Sequence, residues 1–167
     1  MKIALVMYDK MNLANFATLM AFFKGFDGVR LKTCAFKNEV VCELGVRLHP
    51  DIFGESIYGA DMIVIPDGLG ALSMRYDEIF LSWIKSGSSA KLKFGFDLGS
   101  LIFAGAGFLE GKSAAIRGGY KNALSEYCTI SEHKICFDEG VISASEFSDE
   151  LKAKLGEILA MHQQTTH

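Results

Sequence analysis

The chain has 167 residues, half of them hydrophobic and 22% charged, with a formal net charge of -3 at pH 7. That length and composition suit one folded domain, residues 1–167, with a sizeable core, and they exclude a disordered chain. A mildly acidic chain with no basic run carries no electrostatic footprint for nucleic acid, and no apolar stretch approaches the roughly 18 residues a membrane span needs.

The elements alternate short apolar runs with helical patterns, the order expected of an α/β sheet covered by helices. Ile3 to Tyr8 is a near-continuous apolar run, as in a strand buried on both faces, and Asp9 and Lys10 interrupt it too early for a signal peptide. From Asn12 to Gly25, Leu13, Phe16, Ala17, Met20 and Phe23 follow the helical period, with Gly25 as the stop. Val29 to Phe36 alternates as a second strand, and two strand-like pieces around Gly45 read as a small hairpin. Met62 to Pro66 is another buried strand, followed by the turn "DGLG" and one helix from Ala71 to Lys85. Leu92 to Phe96 is a strand that runs into Asp97, and Ser100 to Ala106 is helix-compatible. Beyond it the pattern predicts a short strand in "SAAI", a short helix from Lys121 to Tyr127, and strands at Thr129 to Ile135 and Cys136 to Ala144, with "DEG" as a turn in the second. Ser148 suits the N-cap of a last helix that extends to about Met161.

Several local motifs fail on inspection. "GLGALS" (Gly68 to Ser73) follows a strand and opens a helix but lacks the third glycine of a dinucleotide fingerprint. "GFLEGKS" is one residue short of a P-loop and precedes a strand instead of following one. Cys34, Cys42, Cys128 and Cys136 form no CxxC pair and have no nearby histidine at ligand spacing. They read as inert thiols in a reducing cytoplasm, and neither a metal site nor a cofactor is expected.

The informative stretch is "DLGSLIFAGAGFLEGKSAAIR", Asp97 to Arg117. A sharp strand-to-helix corner with a reactive side chain at its tip is how several hydrolase folds present a nucleophile, and here the tip is an aspartate. The stretch resembles the ThiJ/PfpI superfamily, whose corner reads roughly C-T-G-A-L-x-L-A-x-A-G-L-L-D-G-R-x-A-T-x-H. "IPDGLGA" (Ile65 to Ala71) is similar to that family's I-P-G-G-x-G-A, and "YDKMNLANFATLMAFF" stands where the family has its first loop and an acid-bearing helix start. The resemblance implies a flavodoxin-like, class I glutamine-amidotransferase-like three-layer α/β sandwich with a mostly parallel sheet. It also implies a homodimer.

It further implies that the chemistry has changed. The family's nucleophilic cysteine falls on Asp97, its histidine on Arg117 and its acidic residue on Asn15. One glycine of the P-G-G turn is Asp67, which leaves Gly68 as the counterpart of the oxyanion-hole glycine. A thiolate activated by its neighbours is the nucleophile of that chemistry; a carboxylate is a far poorer one, and arginine does not release a proton.

Asp97 then reads as a carboxylate paired bidentately with Arg117, or as a nucleophile that lacks a nearby histidine, since His49 and His133 lie in peripheral segments. Asp67 reads as a solvated turn residue or as part of a polar pocket with Asn15, Gly68, Asp97, Leu98 and Arg117. The expected function is a non-catalytic one, binding a small polar metabolite or a partner protein. The alternatives are a rewired hydrolase or lyase that uses Asp97, and a structural or interaction module with a vestigial pocket.

Overall fold

In a computed structural model, which describes residues 1–165, the sheet is built outward from the first strand. β1 (Lys2–Met7) has five buried residues in succession, which only a strand covered on both faces can accommodate. It pairs in parallel with β2 (Arg30–Ala35) on one side and β6 (Met62–Ile65) on the other. β7 (Leu92–Phe96) lies beside β6, and β11 (Val141–Ala144) beside β7, both parallel. β10 (Ile135–Asp138) closes that edge antiparallel to β11, and β5 (Ile52–Phe53) closes the other edge beside β2. The order is therefore β10-β11-β7-β6-β1-β2-β5, mostly parallel. Two further pairs stand apart: β3 (Val40–Val41) with β4 (Arg47–Leu48), and β8 (Ser113–Ala114) with β9 (Thr129–Ile130).

Alternation along β7 shows that the sheet is covered twice. Phe94 and Phe96 point to one face, where they meet Phe23 of α1 (Leu13–Lys24) and Phe147. Gly95 points to the other, where Ser100 of α4 (Gly99–Gly105) lies so close that a Cβ would stand 2.5 Å from its Oγ. The last helix, α6 (Asp149–Thr165), joins the first layer: Gly156 packs against Phe26, just beyond α1. This is the flavodoxin-like three-layer sandwich.

Three elements differ from what the sequence predicts. The helix expected from Ala71 to Lys85 is two, α2 (Ala71–Met74) and α3 (Glu78–Lys85), because Asp77 leaves the helical conformation and accepts the Phe80 N–H at 3.1 Å. An N-cap of this kind outcompetes continuation of the helix. Beyond the hairpin that β3 and β4 form around Gly45, Ile52–Phe53, unmarked in the sequence, joins the main sheet as an edge strand. As its "DEG" predicts, the run Cys136 to Ala144 turns through Glu139 and Gly140, both at positive φ, as a tight antiparallel turn demands. Thr129 to Ile135 is strand only at its first two residues and its last, since Ser131 Oγ takes the His133 N–H and turns the chain. Short α5 (Lys121–Ser125) falls within its expected span, and α6 runs four residues past Met161.

Candidate functional site

The carboxyl ends of β1, β6, β7 and β11 converge where the chain, having placed β2 on one side of β1, builds β6 and β7 on the other. Clefts at such reversals of strand order are where parallel sheets hold ligands. β7 ends at Asp97, whose φ of 52° is a left-handed conformation that a non-glycine residue rarely adopts. The corner is held on all sides. The Asp97 N–H donates to Ala144 O at 2.7 Å, and Ser100 N–H donates back to Asp97 O at 3.1 Å. Gly99 packs on the end of β6 so tightly that a Cβ would come within 2.3 Å of Ile65 O.

At this corner the structure brings Asp67, Asp97, Leu98 and Arg117 together. Asp97 Oδ1 accepts the backbone N–H of Arg117 at 3.0 Å. Asp67 Oδ1 accepts the N–H of Leu98 at 3.1 Å. The remaining oxygen of each carboxylate lies 3.6 Å from one and the same nitrogen, Arg117 Nη1. The contact is thus one nitrogen shared between two acids, not a bidentate pair: Arg117's own backbone takes Asp97 Oδ1, and Asp67 competes for the guanidinium. Both carboxylates are buried, with side chains 9% and 5% exposed, whereas that of Arg117 is 42% exposed. Its guanidinium also lies 4.9 Å from the centre of the Tyr120 ring, a favourable cation–π distance.

Asn15, on the first turn of α1, reaches the site through the backbone: its Oδ1 accepts the Asp67 N–H at 2.8 Å. Asn12 N–H donates to Asp67 O, so the turn after β6 is clamped at both backbone groups. Asp67 is buried and is not a solvated turn residue. Gly68 forms a bridge with Met11, and a Cβ there would stand 2.5 Å from Met11 Cα. Tyr8, which by sequence could wall the pocket or pack in the core, is buried, and its hydroxyl donates to Pro66 O at 2.5 Å beneath the turn.

Burial is the largest influence on Asp97 and lifts its carboxyl above the ordinary range; the Arg117 N–H pulls it down, the Asp67 charge raises it, and the Arg117 charge lowers it. Tyr8 is pushed well above the usual phenol value by burial first and then by the charges of Asp67, Glu43 and Asp97. Two acids around one guanidinium leave a surplus negative charge when both are ionised.

No family model and no curated protein matches the chain. Solved structures do. A ThiJ/PfpI family protein from Pseudomonas syringae superposes with a TM-score of 0.81 at 20% identity, over 96% of this chain and 74% of that one. DJ-1beta of Drosophila melanogaster gives 0.81 at 18%, over 95% and 90%. A ThiJ/PfpI domain protein from Brachyspira murdochii gives 0.76 at 15%, over 93% and 96%. The fold is that of the ThiJ/PfpI and DJ-1 superfamily.

Within this ThiJ/PfpI fold none of the cysteines stands at the β7 corner. Burial raises Cys34 to about 12 and Cys128 to about 11, and lifts Cys136 as well. Beside the corner, Arg117 also lines a cleft of about 400 Å³ shared with Lys121, Ser131, His133 and Glu146. Among the described residues no group of three or more His, Cys, Asp or Glu side chains is placed to hold a metal ion. No helix of the described residues is long and apolar enough to cross a membrane.

Proposed function

We propose that this ThiJ/PfpI-type chain is a binding protein that has abandoned thiol chemistry and receives a small polar metabolite beside Arg117. The observation that carries the reading is the carboxylate of Asp67 seated on the Leu98 N–H. In the resemblance that amide, with Gly68, is where a developing oxyanion would be held. An internal carboxylate on it takes the Leu98 donor from any acyl intermediate and repels a negative charge there. Asp97, Arg117 and Asn15, at the positions of cysteine, histidine and acid, supply neither a thiolate nor an imidazole base. The half-exposed guanidinium, by contrast, is available to an incoming carboxylate or hydroxyl from the neighbouring cleft. The reading includes a single domain, a homodimer and a cytoplasmic location.

The test is a thermal-shift panel of small carboxylic and amino acids on wild type and Arg117→Ala, run beside peptidase and glyoxalase assays. The expected result is a stabilising ligand that Arg117→Ala no longer senses, with no turnover. Turnover that survives alkylation of every cysteine and is lost in Asp97→Asn would overturn it in favour of an aspartate-based enzyme. The burial that raises the Asp97 carboxyl is the one observation that favours that second reading.

A further inference from the structure

We propose that the cleft at the opposite end of β7 from Asp97, into which Lys91, Lys93 and Lys112 converge, binds a phosphoryl group. It is separate from the corner: Lys93 lies four residues before Asp97 along the strand, about 13 Å at the usual rise. The cleft has a volume of about 460 Å³, and Gly107, Phe108, Glu110, Glu139 and Gly140 complete much of its lining. Four of its residues come from "GFLEGK", the glycine- and lysine-bearing stretch that fails as a P-loop.

Lys93 is the central observation. Its ammonium donates to Ala90 O at 2.7 Å and Ser88 O at 3.3 Å and lies 4.7 Å from the centre of the Phe108 ring. Carbonyl dipoles and a π face hold it, but among the described residues no carboxylate stands within ion-pair distance of it. Burial, and then the charge of Lys112, push Lys93 below the ordinary lysine value. A half-buried cation with no counter-charge is costly, and an anion in the cleft would offset that cost.

Lys112 shows what such an anion meets. Its side chain is 21% exposed and its ammonium bonds Glu139 Oε2 at 2.9 Å. Glu139 is itself 81% exposed and projects from the turn between β10 and β11. A pair so open to water contributes little, so Glu139 acts as an internal stand-in that a stronger oxyanion displaces. Three compact ammonium groups, with no guanidinium fork, match a divalent phosphoryl group as point charges better than they match one planar carboxylate.

The experiment follows the backbone amides of Gly107, Lys112 and Gly140 by NMR during titration with inorganic phosphate at low ionic strength, with acetate as the monovalent carboxylate arm. Saturable shifts with phosphate and weaker ones with acetate are expected. Lys93→Met and Lys112→Met should each weaken phosphate binding about tenfold, the value of one charge-assisted hydrogen bond. Lys91→Met, at an exposed position that folding does not depend on, should weaken it about threefold. Glu139→Gln should tighten it, because the internal competitor is gone. Lys37→Gln, far from the cleft, and Arg117→Ala, at the corner, should leave it unchanged, which separates this site from the proposed metabolite site. Equal responses to acetate and phosphate, or equal binding in Lys91→Met, Glu139→Gln and Lys37→Gln, would overturn the proposal.

Discussion

Asp97 is held by two groups of one residue, the backbone N–H and the guanidinium of Arg117, and the two contribute differently. Arg117→Ala removes only the half-exposed ion contact and keeps the N–H, so it should cost about 1 kcal/mol. Asp97→Ala strands that N–H and removes one of the two carboxylates that share the guanidinium, so it should cost about 1–3 kcal/mol. Denaturant melts of both single mutants and the double mutant should give a coupling of about 1 kcal/mol; strictly additive losses would show that the 3.6 Å contact carries no energy. The raised carboxyl of Asp97 also sets a pH dependence. The folded chain holds this proton more tightly than the unfolded one, whose aspartate titrates near about 3.9. Stability from this group is therefore fully present below that pH and is lost as pH rises through the higher folded value. Asp97→Asn keeps an acceptor for the Arg117 N–H and cannot titrate. Its urea midpoint should gain on wild type between about pH 4 and pH 7, and parallel midpoints across that range would refute the account. The thiols make a third case: with Cys34 pushed up to about 12 and Cys128 to about 11, alkylation by iodoacetamide at neutral pH should be slow, and one fast-reacting cysteine would contradict the reading.

At the scale of elements, the corner works because α4 is pressed onto β6. Gly99→Ala would drive a Cβ into the carbonyl of Ile65 and should destabilise by about 1–3 kcal/mol through overpacking. Because Leu98 rides on the same turn, the mutant should also shift the Leu98 amide resonance, which a distant packing defect would not. The break between α2 and α3 has an equally local cause. Asp77→Ala should lose about 1 kcal/mol, and Asp77→Ser should recover most of it, since either oxygen-bearing side chain can take the Phe80 N–H. Strands and long helices were legible in the sequence because burial on both faces or on one stripe leaves a periodic trace. This helix break was not, because Leu72, Ile79, Trp83 and Ile84 keep the apolar pattern running across it.

For the whole molecule, the exposed apolar surface is unevenly distributed. Of the eleven large hydrophobic residues exposed among those described, six (Phe36, Val41, Leu44, Val46, Phe53 and Tyr58) fall within residues 36–58. That segment holds the β3–β4 hairpin and the short edge strand β5, whose backbone is open to a further partner. Surface of this kind marks association sites. Sedimentation equilibrium should therefore give a homodimer, and Leu44→Glu with Tyr58→Glu should give a folded monomer. A monomeric wild type would remove the dimer from the proposed function.

The sequence by itself determined the class of fold and the location of the corner, because an apolar strand running into Asp97 and a glycine-rich helix start leaves little local choice. Its resemblance to the ThiJ/PfpI superfamily implied that cysteine, histidine and acid are replaced by Asp97, Arg117 and Asn15. Tertiary structure alone decided how such residues meet. Asp67, Asp97 and Arg117 are 20 to 50 residues apart in the chain, and their shared geometry depends on the order in which β6, β7 and β11 meet, which no local pattern encodes. The same holds for the seat of Asp67 on the Leu98 N–H and for the convergence of Lys93 with Lys112: each is a contact between segments that read, one at a time, as an ordinary turn, strand or loop.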